Sequence, residues 1–186
     1  MKRCMQGGGW RATHKATIAS NPWFSVEQFD VVLPDDSPRL YHTLHFAGPA
    51  VGVIAATETH LLLVHQYRFI VDEFVWAIPS GGVSTDESLE EAAARELLEE
   101  AACTVSGLAP LFGYYPSYGC GDQRFEIFHA MDPQVVEVPI DANEVIRAQW
   151  FAHEEVKALL AERKIVDGLS LTALLYFYLF VYRDGP

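Results

Sequence analysis

The sequence predicts an α/β protein: a mixed β-sheet with helices packed on its faces. Three observations carry that reading. β-prone runs come first, one strongly helical segment interrupts them, and further β-prone runs precede two helical segments at the end. Half of the residues are hydrophobic and 12% are aromatic, enough for a sizeable core and incompatible with wholesale disorder. No repeat, low-complexity tract or linker splits the 186 residues, a length suited to one domain.

Residues 1–20 read as a flexible N-terminal segment, because Gly7, Gly8 and Gly9 in a row order only at high entropic cost. Residues 21–186 then form the single domain. Phe24–Leu33 and Arg39–Phe46 are strand-like and flank a turn at Pro34–Pro38. Ala50–Ala56 and Leu61–Tyr67 are apolar runs split by the hairpin loop Thr57–His60. Phe74–Pro79 is a short strand that stops at Ser80-Gly81-Gly82. The clearest helix follows. Asp86 or Ser88 can cap it, Ser88-Leu89-Glu90-Glu91 fits a capping box, and the Ala-, Leu- and Glu-rich body runs to about Ala102. Thr104–Tyr114, Phe125–Met131 and Ala148–Ala152 read as strands, and Glu154–Arg163 and Ser170–Tyr182 as helices. The run Leu169–Tyr182 is the most apolar, but its about 14 residues fall short of the ~20 needed to span a membrane. It reads as a buried or half-buried terminal helix.

Charge and cysteine usage narrow the function classes. Against 13 Lys and Arg stand 25 Asp and Glu, a net charge of −12. Such a chain lacks the cations that nucleic-acid or anionic-membrane binding rests on, so neither partner is expected. A phosphate-bearing small molecule stays compatible where a metal ion mediates. Cys4, Cys103 and Cys120 are odd in number and show no C-x-x-C spacing. That argues against a disulfide framework and for a reduced, cytoplasmic setting. Met1–Trp10 has no apolar core of the kind a secretory signal carries.

The chemistry concentrates in the helix. Asp86, Glu87, Glu90, Glu91, Glu96, Glu99 and Glu100 lie in one short stretch with the lone base Arg95. Glu96, Glu99 and Glu100 stand at i, i+3 and i+4, so their carboxylates leave one helical face within about one turn. A cluster of oxygens suits a hard divalent cation, whose shell is completed by water and phosphate. A solvated acidic face is the plainer explanation of such a string standing alone. The string does not stand alone. Gly81 is followed by five residues, Glu87, seven residues, and then Arg95-Glu96-Leu97-Leu98-Glu99-Glu100-Ala101-Ala102-Cys103.

This spacing resembles the Nudix box, with every charged position filled. Ala102 and Cys103 depart from it, standing where the box has a glycine and an aliphatic residue. The resemblance implies an α/β/α sandwich with a mixed sheet, and a hydrolase that cuts the diphosphate of a nucleoside diphosphate joined to another group. Carried over by position, Glu96 and Glu100 would ligate Mg²⁺ or Mn²⁺, with Glu99 sharing or orienting. The Ser80 carbonyl would complete the set, Arg95 would hold a glutamate in place, and Glu87 would fix the loop to the helix. Asn21–Phe24, Val64–Arg68, Trp76–Gly82, Tyr114–Gly119 and Gly168–Leu174 resemble the ADP-ribose pyrophosphatase branch. That branch implies a homodimer with N-terminal strands crossing to the partner, and substrate contacts from Tyr67 and Arg68.

The implied reaction is ADP-ribose to AMP and ribose 5-phosphate. Tyr118 occupies the place of a proline frequent in that branch and is carried as a substrate contact that leaves base and sugar open. GDP-mannose, NADH or a dinucleoside polyphosphate are the alternative substrates, and a non-catalytic nucleotide-binding domain is the rival class; Ala77, Ala102 and Ala142 are the departures that motivate it. Loop 141–147 resembles the loop that supplies a late acid, which leaves Glu144, Asp141 and Glu99 as candidates for the general base. Elsewhere, His42 and His45 point to opposite faces of their strand, so no metal site is expected there. His60 and His65 read as surface residues, Cys120 as an isolated thiol, and Phe74 and Trp76 as core.

Overall fold

The structure is a computed structural model that describes residues 4–183. The chain forms two compact units. The first comprises the chain up to Pro49 together with Ser117–Arg124, and the second Ala50–Pro116 with the chain from Phe125 onward.

The first unit is an antiparallel sheet of β1 (Cys4–Gly7), β2 (Trp10–Ser20), β3 (Phe24–Val32) and β4 (Pro38–Phe46), in that order. The expected flexible segment is thus strand from Cys4 on; residues 1–3 lie outside the described residues. The glycine triplet misled. Gly8 and Gly9 have φ of +56° and +82° and join Gly7 to its partner Trp10 in a two-residue hairpin. Two consecutive positive φ values suit the right-handed twist of a hairpin, and glycine reaches them without strain. The next turn is held by the Asn21 side chain, whose Oδ1 accepts from the Trp23 and Phe24 N–H groups at 2.9 Å each. The turn expected at Pro34–Pro38 joins β3 to β4, with Asp36 at φ +63°. Ser117–Arg124 lies along β4, where Leu44 N donates to Cys120 O and Tyr41 Oη donates to Gly119 O.

The second unit begins with β5 (Ala50–Ala55), β6 (His60–Arg68), β7 (Glu73–Ala77) and β8 (Ser80–Gly82). Helix α1 (Leu89–Ala101) follows, then β9 (Cys103–Thr104), β10 (Gly107–Tyr114), β11 (Phe125–Met131), β12 (Gln134–Val135) and β13 (Arg147–Ala152). The chain closes with α2 (His153–Ala161), α3 (Gly168–Tyr176) and a π-helical turn, Phe177–Val181. One sheet runs β10-β11-β5-β8 and is mixed: β11 pairs parallel to β5, while the other two pairs are antiparallel. A second, antiparallel sheet runs β13-β6-β7, and β9 and β12 pair with each other.

Period-two alternation explains the layering. Val51, Val53 and Ala55 of β5, with Leu62 and Val64 of β6, pack with Ala92, Ala93, Leu97 and Ala101 of α1. The alternate residues Ile54, Leu61 and Leu63 pack with Val156 of α2 and Leu169, Ala173, Leu174 and Phe177 at the C-terminal end. Both faces of these strands are therefore apolar and covered by helices. The terminal apolar run is the half-buried helix expected, and among the described residues no helix is long and apolar enough to cross a membrane. Phe74 departs from expectation. It is 65% exposed, because it sits beside the turn that closes the β6–β7 hairpin, while Trp76 is partly buried against the α2–α3 side of the core.

Candidate functional site

The acidic helix is fixed at both ends. At the N-terminus the Ser88 Oγ accepts from Glu91 N, and the Glu91 Oε2 accepts from Ser88 N at 2.8 Å, closing the capping box. At the C-terminus Ala102 takes the left-handed conformation, φ +48° and ψ +43°, and its N–H reaches the Leu97 and Leu98 carbonyls. An alanine there costs about 1–2 kcal/mol that a glycine would not. The helix therefore ends where a glycine would have ended it.

Between these ends, α1 buries Glu96 and Glu100 along with Leu97 and Ala101, while Glu99 stays exposed. Glu100 is 1% exposed. Its Oε2 accepts from Ser80 N at 2.8 Å and its Oε1 from Gln66 Nε2 at 2.7 Å. Burial pushes its carboxyl up to about 8; the Ser80 N–H and Arg68 oppose that rise, and the charges of Glu96 and Glu144 add to it. Burial also raises Glu96, against the pull of Arg95. The Glu96 carboxylate lies over the backbone of Gly81, where a Cβ would stand 2.0 Å from Oε1. Only glycine permits that approach.

Arg95 ties the acids together. Its Nε and Nη2 donate to the two oxygens of Glu87 at 2.8 and 3.0 Å. Its Nη1 donates to Glu96 at 2.7 Å and Glu99 at 3.1 Å, and Nη2 also reaches the Gly82 carbonyl at 3.0 Å. The guanidinium holds its proton more tightly than usual, chiefly through Glu87. One cation thus joins the loop at Gly82–Glu87 to two consecutive turns of α1.

Loop 141–146 closes another side. Asp141 N donates to the Glu99 carbonyl at 2.9 Å, and Ile146 N donates to the His65 carbonyl at 2.8 Å. Val145 is buried in the α1-side core between those anchors. Glu144 is exposed, and its charge is felt at both Glu96 and Glu100. The Asp141 Oδ1 accepts from the Asn143 backbone and side chain, so this acid serves the turn.

The structure brings Ser80, Arg95, Glu96, Glu99 and Glu100 together and sets Glu144 near enough to act electrostatically on Glu96 and Glu100. Arg68 also influences Glu100. Tyr67 is separated from Arg68, because successive residues of β6 face opposite ways. It packs on Phe74 at 5.1 Å and donates to Asp72 at 2.6 Å. Tyr118 belongs to the first unit and is 87% exposed. His42 and His45 of β4 are engaged with Gln28 and Asp122. Gln66 is the residue the sequence reading missed. The signal was a polar side chain continuing the apolar face Leu62–Val64 of β6.

The donor set fits a hard cation. The acids supply only oxygen, burial and mutual repulsion disfavour their ionised forms, and both raised groups gain from a nearby positive charge. Among the described residues no group of three or more His, Cys, Asp or Glu side chains is arranged to hold a metal ion by itself. Glu96 and Glu99 are turned onto Arg95, and Glu100 onto Ser80 and Gln66. Few protein ligands, with water and phosphate completing the shell, is the pattern Mg²⁺ prefers.

Comparison with known proteins gives the family and the fold. A NUDIX domain family model matches residues 47–169. The chain is 28% identical to an ADP-ribose pyrophosphatase of Bacillus subtilis, over 91% of this chain and 95% of that one. It is 25% identical to the CMP-5'-(N-acetyl-N-hydroxy-3-aminopropyl)phosphonate hydrolase of Streptomyces rubellomurinus, over 95% and 86% of the two chains. A GDP-mannose pyrophosphatase of Yersinia enterocolitica is 25% identical over 87% and 92%. Among solved structures, an ADP compounds hydrolase superposes with a TM-score of 0.77 at 20% identity, covering 95% of this chain and 92% of that one. The last likeness is one of fold.

Proposed function

We propose, from the premise that this chain belongs to the NUDIX domain family, that it is a metal-dependent pyrophosphohydrolase of nucleoside diphosphate compounds, with ADP-ribose the first substrate. The observation that carries this reading is the buried pair Glu96 and Glu100 on α1, set against Ser80–Gly81 and tied by Arg95. Two buried like charges are unfavourable without a counter-charge. The names of the relatives from Bacillus subtilis and Yersinia enterocolitica support a nucleoside diphosphate sugar as substrate.

Glu96, Glu99, Glu100 and the Ser80 carbonyl would hold Mg²⁺ or Mn²⁺. A bound divalent cation supplies charge neutralisation for the diphosphate and a water of lowered pKa. Arg95 keeps Glu96 and Glu99 in place through its fork of N–H groups. Arg68 donates to a phosphate oxygen of the substrate. Glu144, exposed at the tip of its loop, takes the proton of the attacking water, since Asp141 is committed to Asn143. The water oxygen bonds to one phosphorus as the bridging P–O bond breaks, giving AMP and ribose 5-phosphate. Assembly as a homodimer in the cytoplasm completes the proposal, supported by the motifs around Asn21–Phe24 and the reduced cysteines.

The test is a substrate panel. The purified chain, with Mg²⁺ or Mn²⁺, is given ADP-ribose, GDP-mannose, NADH and a dinucleoside polyphosphate, and monophosphate release is read after phosphatase coupling. ADP-ribose is expected to turn over fastest. Release from none of them with either ion overturns the hydrolase reading, and tight metal-independent nucleotide binding without turnover replaces it with a binding module. Light scattering on the same sample gives the mass, and a monomer removes the dimer.

A further inference from the structure

Gln66 is a buried polar side chain that the reaction above does not use. It follows Leu62 and Val64 on the face of β6 that packs against α1, and it is 1% exposed. For the fold alone an apolar residue would serve better at this place. Among the described residues the buried Gln66 Oε1 has no hydrogen-bond donor, an arrangement that disfavours folding. Among the described residues what the glutamine gains is one side-chain hydrogen bond: its Nε2 donates to Glu100 Oε1 at 2.7 Å, across a sequence gap of 34 residues. Ser80 N holds the other oxygen of the same carboxylate at 2.8 Å. Each carboxylate oxygen has a second lone pair. Two donors, one from β6 and one from β8, therefore fix the carboxylate plane and leave one acceptor site on each oxygen.

We propose that Gln66 is a positioning residue for the ion site: its side-chain amide fixes the Glu100 carboxylate in the orientation that receives a divalent cation. The proposal rests on the metal-dependent reading above. Outer partners of metal ligands act in this way by removing rotational freedom from the ligand before the ion arrives.

The experiment measures Mn²⁺ binding by electron paramagnetic resonance on the purified chain, without substrate. Wild type, Gln66→Leu, Glu100→Gln and the double variant are compared, and thermal unfolding is recorded in chelator. Gln66→Leu is expected to weaken Mn²⁺ binding about tenfold, while its metal-free melting temperature is unchanged or higher. The Mg²⁺ concentration for half-maximal hydrolysis should rise by the same factor, with KM for ADP-ribose at saturating Mg²⁺ changed by under about twofold. In the Glu100→Gln background, Gln66→Leu should add nothing beyond about twofold, because its effect runs through Glu100.

Wild-type Mn²⁺ affinity in Gln66→Leu overturns the proposal. So do losses that multiply in the double variant. Gln66→Met is run alongside as an unbranched variant of similar size, and misfolding of both assigns Gln66 to the core and also overturns it. If wild type binds no Mn²⁺, the metal-dependent reading itself has failed, and this proposal falls with it for a different, visible reason.

Discussion

Glu27 in the first unit and Glu100 in the second carry the same side chain and are driven in opposite directions. Glu27, on β3, accepts from Ser25 Oγ at 2.5 Å, from His14 Nε2 at 2.5 Å and from Thr17 Oγ1 at 2.9 Å. Those donors, Ser25 first, hold its carboxyl at about 2. Glu100 has two donors, lies deeper and has like charges for neighbours, so burial takes it to about 8. Donors at a half-buried site lower the one acid, and burial beside like charges raises the other. Glu27 is satisfied by its own sheet. Glu100 is left in need of positive charge, which is what distinguishes a candidate functional acid from a structural one.

The comparison breaks most sharply by exchanging charge for amide. Glu100→Gln should lower hydrolysis by about 10²–10³-fold and weaken Mn²⁺ binding, read by turnover and by paramagnetic resonance. Glu27→Gln should leave Mn²⁺ affinity unchanged. If the two variants bind the ion alike, the distinction is wrong. Gly81→Ala should come next: the added Cβ displaces the Glu96 carboxylate. A displacement of that kind costs about 10²-fold in rate, with a small change in melting temperature.

Stability against pH separates the two acids with opposite signs. Glu100 has a raised folded-state pKa. Its contribution is fully present below its ordinary value of 4.5 and is lost as pH rises through about 8. In chelator, the wild type should therefore melt lower at pH 8 than at pH 5, and Glu100→Gln should flatten that slope. Glu27 has a depressed pKa. Its contribution is present above 4.5 and is lost as pH falls toward about 2, so Glu27→Gln should matter at neutral pH and not at the acid end. Differential scanning calorimetry across pH reads both arms. The smallest effect is expected from Ala102→Gly, which relieves the left-handed helix end that follows Glu100. It should add about 1 kcal/mol, seen as a rise of ~2–4 °C in melting temperature.

What was legible in the sequence was what local geometry determines. The capping box at Ser88 and Glu91 follows from local spacing, and the structure reproduces it; of the three acids that periodicity puts on one face, Glu96 and Glu100 are buried while Glu99 is exposed. The strand Phe125–Met131 falls where its apolar run placed it. The Gly7–Gly9 stretch was misread because the same glycines serve a loose tail and a tight hairpin; only the pairing of Gly7 with Trp10 distinguishes them. Tyr67 and Arg68, both substrate contacts by resemblance, lie on opposite faces of β6 by strand alternation. That was readable in principle. The bond between Gln66 and Glu100 was not, since nothing local links a strand residue to a helix residue 34 positions away.

The span that bears Glu144 is held by two backbone hydrogen bonds, to the Glu99 and His65 carbonyls, and by the burial of its own Val145. An acid mounted this way sweeps a short arc. It travels with the helix and the strand that carry the other groups, so its distance to them is geared to the frame and does not wait on a large excursion of the chain.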